Sequence, residues 1–500
     1  GYLTRNTGEA GNTTVYTTSV WVKRSNLTSN QFIFTAGPWD GGNNYEGIRF
    51  VNDDTLRAIL TVSNSTVANY TTNAIFRDVS AWYHIVWQRN GQAYKIYVNG
   101  TEQTYSTSTF SSNPSGYLTA DTEQLISGRL DHLQDFDGYL AEFHFVDGSA
   151  LDPTSFGETK DGVWIPKAYS GSHGTTGFHL SFADSSDIGN DISGNNHDFT
   201  ASGIVATDVV PDSPTNNFAT WNYVGSSYGG TNKPAVSEGA LKAASAGNPT
   251  HFFSTFAIEP NDTQGYYWGG KAISIDTSRS YIGIVAPEGD SGAASGASYS
   301  YNYKFVLSRV GNLFANNDSN ASGTVSLTSW TNDDILMIAY KDGKIWIGKN
   351  GTWMNSGDPA NGTGDLVAED GGRPSDRGDV TWYPYAGYNS TYTANFGQDG
   401  TFAGTETAQG NSDENGIGDF YYSVPSGFVA LCTSNLPEPT IGPGQTEQAG
   451  DNFNTVVYTG TGSSQSITGV GFQPDFVWIK GLATRRHMLF DVIREATNRL

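Results

Sequence analysis

A loop near the start of the chain carries the side chains that sugar-binding sites use. Residues 38–45 combine the aromatic rings of Trp39 and Tyr45 with the polar groups of Asp40 and Asn43. Sugar C–H groups stack on aromatic rings, and sugar hydroxyls need paired hydrogen-bond donors and acceptors. We therefore predict a ligand-binding loop. The alternative is a structural loop in which Trp39 folds back onto the protein.

Three aspartates with close spacing are candidates for a cation site. Asp131, Asp135 and Asp137 lie within seven residues, just before a predicted strand. Carboxylate oxygens are the ligands that calcium prefers. We therefore predict a calcium site here, with ordinary solvated turn residues as the alternative. We expect that the protein requires no cofactor and that Ca²⁺ is the only ion it could bind.

The other groups that could do chemistry do not form a recognisable catalytic pattern. The eight histidines are scattered, and neither a His-Glu-x-x-His motif nor a phosphate-binding Gly-Lys-Ser/Thr loop occurs. His84, His144 and His179 lie in apolar stretches, where packing is the expected role. Cys432 is expected to be a small buried residue. Because it is the single cysteine, an intrachain disulfide framework is excluded. We expect a non-catalytic protein.

The composition indicates which elements must position these side chains. Aromatic residues make up 13% of the 500 residues, charged residues only 15%, and there are 60 glycines. Aromatic and β-branched residues favour strands, and glycine and asparagine favour turns, so an all-β chain with many loops is predicted. The net charge of −23 disfavours contact with nucleic acid and anionic lipid. We expect no nucleic-acid partner and no membrane insertion.

Two passages share one pattern of strand, tight turn, strand and second tight turn. They span residues 84–100 and 335–351, with Asn-Gly or Asp-Gly at each corner. These dipeptides tolerate the positive φ angles of two-residue hairpin turns. The strands are apolar at nearly every position, which is typical of central strands in packed sandwiches. At least two separate β-sandwich cores are predicted.

Composition shifts then divide the chain into five parts. We predict a sandwich over 1–165, a Gly/Ser/Asn-rich connecting segment with a few strands over 166–215, a second sandwich over 216–436, a Pro/Gly linker over 437–450 and the start of a third β-rich module over 451–500. In the last part, 455–458 and 475–479 are predicted strands, and the apolar spacing over 489–496 suggests a short helix. We expect this third module to be truncated and the chain to be a piece of a longer one.

The first sandwich resembles the laminin-G-like, concanavalin A-type jelly roll. Four stretches carry the resemblance in the family's order: Ser19-Val20-Trp21-Val22-Lys23, Trp82-Tyr83-His84-Ile85-Val86, Ile96-Tyr97-Val98-Asn99-Gly100 and Phe136-Asp137-Gly138-Tyr139-Leu140. The resemblance implies a lectin-type fold of two stacked antiparallel sheets, often with a calcium or glycan site on one rim. In this family, glucanases carry a Glu-x-Asp-x-x-Glu pattern on one strand, which supplies the two catalytic carboxylates. Here Glu288-Gly289-Asp290 lacks the third carboxylate.

The second sandwich resembles SPRY domains. The carriers are Asp334–Tyr340, Gly343–Trp353 and Ala394-Asn395-Phe396-Gly397-Gln398. The resemblance implies a domain that binds proteins or peptides and has no catalytic residues. It would also bring aromatic residues together at one rim, as a binding site or as a contact between subunits: Trp353, Trp382, Tyr383 and Tyr385.

The arrangement of the modules resembles tail-fibre and other virion structural proteins of marine tailed phages. The carriers are the segments Pro211–Phe218 and Thr468–Lys480. The resemblance implies a virion appendage subunit at the particle surface, a homotrimer whose partners are other virion proteins and a host glycan or protein. The alternatives are carbohydrate-binding modules of a larger secreted glycan-active enzyme, or a bacterial surface adhesin.

Overall fold

Strands account for nearly all of the regular structure, which confirms the all-β prediction. The structure is a computed structural model. It describes residues 1–38, 44–224, 233–245, 250–260, 262–276, 280–286, 303–315, 327–368, 372–377, 380–437, 441–442, 445–481 and 487–493.

The first sandwich is built from one eight-stranded and one six-stranded antiparallel sheet. In chain order its strands are β1 (Tyr2–Asn6), β2 (Val15–Arg24), β3 (Gln31–Gly37), β4 (Tyr45–Phe50), β5 (Thr55–Val62), β6 (Ser65–Ile75), β7 (Trp82–Asn90), β8 (Ala93–Val98), β9 (Thr101–Glu102), β10 (Tyr105–Phe110), β11 (Glu123–Ile126), β12 (Gly138–Asp147), β15 (Phe178–Leu180) and β16 (Thr200–Ser202). Between β12 and β15, β13 (Gly157–Lys160) and β14 (Val163–Pro166) pair with each other, and most of this hairpin belongs to the separate small unit described below. The larger sheet has the order β10-β6-β5-β4-β3-β11-β1-β16, and the smaller one β15-β12-β2-β7-β8-β9.

The two sheets enclose a core because side chains alternate across each strand. In β2, Val20 and Val22 point inward, and in β7, Ile85 and Trp87 do the same. Their neighbours point to the outer face of the six-stranded sheet. Strand β7 lies between β2 and β8, which is the central position that its apolar sequence predicts.

One carboxylate lies inside this core. Glu46 is completely buried and accepts hydrogen bonds from the hydroxyls of Tyr16 and Tyr94. Its other oxygen accepts the backbone N–H of Tyr117 at 2.8 Å. The Arg89 guanidinium, also fully buried, lies 3.4 Å from Glu46. Buried charges are tolerated when they are paired and hydrogen-bonded in this way.

Segment 166–215, which we interpreted as a connecting segment, completes the first sandwich. Strand β15 adds an edge to the six-stranded sheet beside β12, and β16 adds an edge to the eight-stranded sheet beside β1. The sandwich therefore extends structurally to about residue 202. Short strands separated by glycine and asparagine give little sequence signal, because each contributes only three residues.

The second sandwich again has two antiparallel sheets. Its strands are β17 (Ala235–Ser237), β18 (Lys242–Ala244), β19 (His251–Phe253), β20 (Gly265–Ile275), β21 (Tyr281–Ala286), β22 (Tyr303–Ser308), β23 (Leu313–Ala315), β24 (Ile335–Lys341), β25 (Lys344–Lys349), β26 (Thr352–Trp353), β27 (Tyr383–Gly387), β28 (Ser390–Asn395) and β29 (Phe428–Val429). One sheet has the order β17-β18-β28-β20-β24-β25-β26, with β29 parallel to β20, and the other has the order β19-β27-β21-β22-β23.

Three of the four predicted tight corners have positive φ angles at both residues, and at Asn90-Gly91 only the glycine does. Asn99 and Gly100 have φ angles of 48° and 76°, and Asp342 and Gly343 have 49° and 69°. Two consecutive positive φ angles are what a type I′ hairpin requires. The hairpins of both sandwiches thus form where the dipeptides predict them.

A buried lysine links the two sandwiches. Lys23 extends from the outer face of β2, and its Nζ donates to Asp212 Oδ2 at 2.7 Å, Asn217 Oδ1 at 2.6 Å and the carbonyl of Phe218 at 2.8 Å. The Trp82 indole donates to the other Asp212 oxygen at 3.0 Å. Burial lowers the pKa of Lys23 and raises that of Asp212.

The last part of the chain, residues 437–500 with 159–165, forms a separate small unit. It contains one helical turn, α1 (Ala449–Asn452), and a hairpin of β30 (Phe476–Ile479) and β31 (Met488–Asp491). The predicted strand over 475–479 is confirmed. The strand over 455–458 is absent from the described structure, and 488–491 is a strand where apolar spacing suggested a helix. Pairing with β30 overrides that weak helical pattern.

Among the residues that the structure describes, no helix has the length and apolar character that a bilayer crossing requires.

Candidate functional site

The outer face of the six-stranded sheet carries a row of histidines. His84 on β7, His144 on β12 and His179 on β15 alternate with inward-facing apolar neighbours such as Phe143. His144 and His179 are directly paired across their strands, with ring centroids 3.8 Å apart. Paired residues on neighbouring strands project side by side, so the register of β15 on β12 creates this contact.

A β-bulge brings a carboxylate to the same place. The register between β12 and β2 shifts between Ala141 and His144, and Glu142 in the bulge has a φ of 48°. A bulge re-aims a side chain by inserting an extra residue opposite its partner strand. The left-handed conformation is uncommon for a residue with a Cβ. As a result the carboxylate of Glu142 lies beside the two imidazoles.

Glu142, His144 and His179 form a compact group of donor atoms. Glu142 Oε2 lies 2.9 Å from His179 Nε2 and 3.8 Å from His144 Nε2. The potential ligand atoms of the three residues all lie within 4.8 Å of one another. A fourth side chain, His173, places its Nε2 3.2 Å from His144 Nδ1.

Burial favours the neutral form of His144, His173 and His84. It lowers the pKa of His144 well below its usual range, and His179 and His173 next to it lower that pKa further. Burial also lowers the pKa of His173 to about 4 and that of His84 to about 3. Neutral imidazoles at physiological pH retain a nitrogen lone pair that can accept a hydrogen bond or bind a metal.

A cleft of about 920 Å³ opens beside this cluster. It lies between the outer face of the six-stranded sheet, segment 203–215 and the nearest loops of the second sandwich. Its walls combine aromatic and carboxylate groups, and the lining side chains include Trp21, Tyr139, Asp137, Glu142, Glu238 and Asp399. Clefts of several hundred Å³ with a few converging polar groups are typical of small-ligand sites.

The cleft contains a carboxyl group whose proton affinity is raised. Burial and the neighbouring charge of Glu238 raise the pKa of Asp137 to about 6. An acid whose folded pKa exceeds its unfolded value binds more protons in the folded state. Its ionisation therefore costs stability above pH 6, and this cost disappears as the pH falls below the unfolded pKa.

Asp137→Asn is expected to stabilise the protein at pH 7 by about 1–3 kcal/mol, because the variant has no carboxylate to ionise there. The gain should decrease between pH 6 and pH 4 and be absent below about pH 4. Urea unfolding at several pH values measures the difference. Asp121→Asn, at an exposed aspartate, is the control and should change stability by less than about 0.5 kcal/mol at every pH. A gain for Asp137→Asn that persists at pH 3 would contradict the assignment.

Most of the predicted sugar-binding loop lies outside the described residues. Trp39, Asp40 and Asn43 fall in the gap at 39–43. Tyr45 is described and is 7% exposed, with its ring packed edge-on against Phe32. For Tyr45 the structure thus provides a packing role, and ligand contact by the loop stays a prediction.

The structure does not bring the three predicted calcium ligands to one point. Asp131 accepts from Arg129 Nε at 2.9 Å, and this guanidinium lowers the pKa of Asp131. Asp135 lies at the surface, 39% exposed, and Asp137 lines the cleft. Among the described residues, these carboxylates do not form a group of potential metal ligands, whereas Glu142 and the histidines do.

The predicted aromatic rim of the second sandwich is divided between two faces. Trp353 packs with Tyr267 on the outer side of one sheet, whereas Tyr383 packs with Tyr385 on the outer side of the other. Trp382 is fully buried in the core between the sheets. The four aromatic residues therefore do not form one surface. The Glu288–Asp290 pair lies outside the described residues.

Sequence reasoning missed the histidine cluster because it treated each histidine alone. We expected His144 and His179 to serve packing only, and both are largely buried, as packing residues are. A signal was present: Phe143-His144-Phe145 and Phe178-His179-Leu180 both alternate, so each histidine faces away from the core. That the two strands are neighbours is not visible in the sequence.

Comparison with known families supports the prediction for the first sandwich. Residues 1–155 match the family model Laminin_G_3, described as the concanavalin A-like lectin/glucanases superfamily. Residues 448–500 match a domain of unknown function, DUF7483. No match was found among curated proteins. The lectin-type fold predicted from the four sequence stretches is thus confirmed for the first part of the chain.

Several solved structures are similar at low identity. A native heptameric SAP-like pentraxin from Limulus polyphemus is 15% identical, over 30% of this chain and 71% of that chain, with a TM-score of 0.25. The SPRY domain of human HERC1 is 14% identical, over 31% of this chain and 86% of that chain, with a TM-score of 0.21. A third similar structure is domain 4 of the extracellular arabinanase AbnA from Geobacillus stearothermophilus, in complex with arabinotriose. It is 21% identical, over 30% of this chain and 67% of that chain, with a TM-score of 0.24.

Proposed function

We propose that this chain is a non-catalytic glycan-binding protein of a bacteriophage virion, a tail-fibre or other appendage subunit at the particle surface. The observation that carries the binding function is the cleft on the lectin-type sandwich, where aromatic rings and carboxylates line one concave surface. The carboxylates accept hydrogen bonds from sugar hydroxyls. The Trp21 ring is 3% exposed and stacks on His84, so it supports the wall of the cleft from behind. The virion assignment rests on the resemblance of segments 211–218 and 468–480 to marine phage proteins.

The charge of the cleft restricts the ligand. Asp137, Glu142, Asp208, Glu238 and Asp399 line it, and the net charge of the chain is −23. Like charges repel in a low-dielectric cleft, so sulfated, phosphorylated or sialylated sugars are disfavoured. Neutral or amino sugars of a bacterial surface polysaccharide fit this chemistry.

An array of bacterial glycans probed with the full chain tests the proposal. The double variant Asp137→Asn/Glu238→Gln should weaken binding about tenfold or more, because two acceptors in the cleft lose their charge. The double variant Asp121→Asn/Glu102→Gln changes the same types of residue at exposed positions away from the cleft and should bind as the native chain does. Trp39→Ala tests the alternative loop site in the same experiment.

The outcomes separate the two sites. Weaker glycan binding by the cleft variant alone supports a binding site in the cleft. Weaker glycan binding by Trp39→Ala alone places the binding site in the predicted loop instead. If the native chain binds no glycan on the array, the glycan function is wrong. If it binds and neither variant changes binding, both proposed sites are wrong.

Assembly is tested on the particle and on the purified chain. Mass spectrometry of purified virions should detect the chain, and light scattering should give the mass of a homotrimer. The small C-terminal unit exposes large apolar side chains, with Phe453 74% and Trp478 61% accessible. We expect the trimer to cover these side chains, because contiguous apolar surface marks contact sites between proteins. Absence from virions would overturn the virion role, and a monomer would overturn the trimer.

A further inference from the structure

We propose that Glu142, His144 and His179 form a binding site for a divalent transition metal of the zinc class on the wall of the cleft. The inference depends on the geometry of these three side chains and not on glycan binding.

The donor atoms already lie at separations close to those that such an ion requires, with the potential ligand atoms of all three residues within 4.8 Å of one another. Zinc binds imidazole nitrogen at about 2.0–2.1 Å and carboxylate oxygen at about 2.0–2.2 Å, so ligand atoms around one ion are about 3.3 Å apart in a tetrahedral site. The distances from Glu142 Oε2 to the two Nε2 atoms are 2.9 Å and 3.8 Å, which bracket that value. The rings of His144 and His179 are stacked with their centroids 3.8 Å apart, so they must rotate away from this stacked arrangement for both lone pairs to converge on one ion.

The donor types select the class of metal. Two imidazoles and one carboxylate suit zinc, copper, nickel and iron. Calcium and magnesium favour sites made only of oxygen ligands. This site is therefore distinct in chemistry and position from the calcium site predicted at Asp131, Asp135 and Asp137.

A further histidine holds one ligand in the required orientation. His173 Nε2 lies 3.2 Å from His144 Nδ1, and the two rings are nearly parallel, with an interplanar angle of 12°. In the tautomer in which His144 Nδ1 donates to His173 Nε2, the Nε2 atom of His144 keeps its lone pair and faces Glu142 and His179. Metal-binding histidines usually have such a partner for their second nitrogen. His173 is thus a positioning residue.

The backbone supports the same interpretation. The bulge in β12 holds Glu142 in a left-handed conformation, at φ 48°, that is unfavourable for glutamate, and it places the carboxylate over the paired histidines. Glu142 and His144 also line the cleft. With three protein ligands, a bound ion keeps a coordination position for water or for a ligand oxygen from the cleft.

Metal titration of the full chain tests the proposal without any glycan. After treatment with a chelator, calorimetry with Zn²⁺ should show one equivalent bound per chain. Co²⁺ should give the visible absorption bands of a four- or five-coordinate ion. His179→Ala and Glu142→Gln each remove one ligand and should lower the affinity at least about 10–100-fold. Both side chains are partly exposed, at 17% and 43%, so the variants should fold, which circular dichroism checks.

Two further variants distinguish a built site from casual binding to histidine. His132→Ala removes an exposed histidine that stacks on Tyr2 and should leave metal binding unchanged. His173→Phe should lower the affinity about 10–100-fold while keeping one equivalent, because it removes orientation and not a ligand. Failure of the native chain to bind one equivalent, or native affinity in His179→Ala, would overturn the proposal and leave the glycan function to its own test.

Discussion

Replacing Glu46 by Gln is expected to lower the free energy of unfolding of the first sandwich by about 3–5 kcal/mol. The carboxylate is completely buried, and the Arg89 guanidinium beside it is buried as well. Removing the charge of Glu46 leaves the charge of Arg89 without its counter-ion. It also replaces one acceptor oxygen by an NH₂ group that must face existing donors.

The tyrosines make the loss larger than a single ion pair would. Burial and the charge of Glu46 raise the pKa values of Tyr16 and Tyr94 well above 10, so both hydroxyls stay protonated and donate to Glu46. In Glu46→Gln the new NH₂ group faces a hydrogen-bond donor that Glu46 used to accept from. That buried donor loses its acceptor, and its desolvation is no longer compensated by a hydrogen bond. The same geometry explains why a carboxylate is retained in an otherwise apolar core.

Chemical unfolding of the full chain, followed by circular dichroism, measures the effect. Glu102→Gln is the matched control: it makes the same change at a surface pair with Lys95, where both side chains are almost half exposed. Exposed pairs contribute about 0–1 kcal/mol. Equal losses in the two variants would show that the buried network does not stabilise the sandwich as proposed.

The sequence predicts the sandwich cores and their hairpins because those features are local. Alternating apolar residues and Asn-Gly or Asp-Gly corners specify strand, turn and register within about twenty residues. The type I′ angles at Asn99-Gly100 and at Asp342-Gly343 show that turn chemistry alone sets these corners. The four stretches that carry the laminin-G-like resemblance all lie within the family match over 1–155.

The functional surface is less predictable because it depends on which strands become neighbours. His144 and His179 lie 35 residues apart in the sequence and meet only because β15, three residues long, pairs with β12. The bulge at Glu142 depends equally on the register against β2, a strand more than a hundred residues earlier. Long-range pairing of short strands leaves no local pattern in the sequence. The sites predicted from the sequence were therefore placed in loops, where the residue types alone indicate a ligand.

For the buried charge of Glu46, the sequence carries a sign of burial but does not identify the partners. Glu46 alternates with Ile48 and Phe50, which places it on the inner face of β4, and this pattern could have indicated a buried acid. Its partners come from β2, β7 and β8, and only the folded sheets bring them together. Lys23 is a comparable case, since its partners lie in the segment that enters the second sandwich.

Lys23→Met is expected to destabilise the junction between the two sandwiches by about 3–5 kcal/mol. Lys23 and Asp212 are 1% and 0% exposed, so the variant leaves a buried carboxylate without its cation. It also removes the donor to Asn217 and to the carbonyl of Phe218, where the chain enters the second sandwich. We expect easier unfolding and faster proteolysis in segment 203–215.

The double variant Lys23→Met/Asp212→Asn separates the lost charge pair from lost packing. Replacing both charges by neutral groups of similar size removes the unpaired carboxylate, so we expect it to recover most of the loss. Lys95→Met, at the exposed pair with Glu102, is the matched control for the lysine and should cost less than about 1 kcal/mol. If the double variant is as unstable as the sum of its two single variants, the pair does not act as a unit. The connection between the sandwiches would then depend on apolar contacts alone.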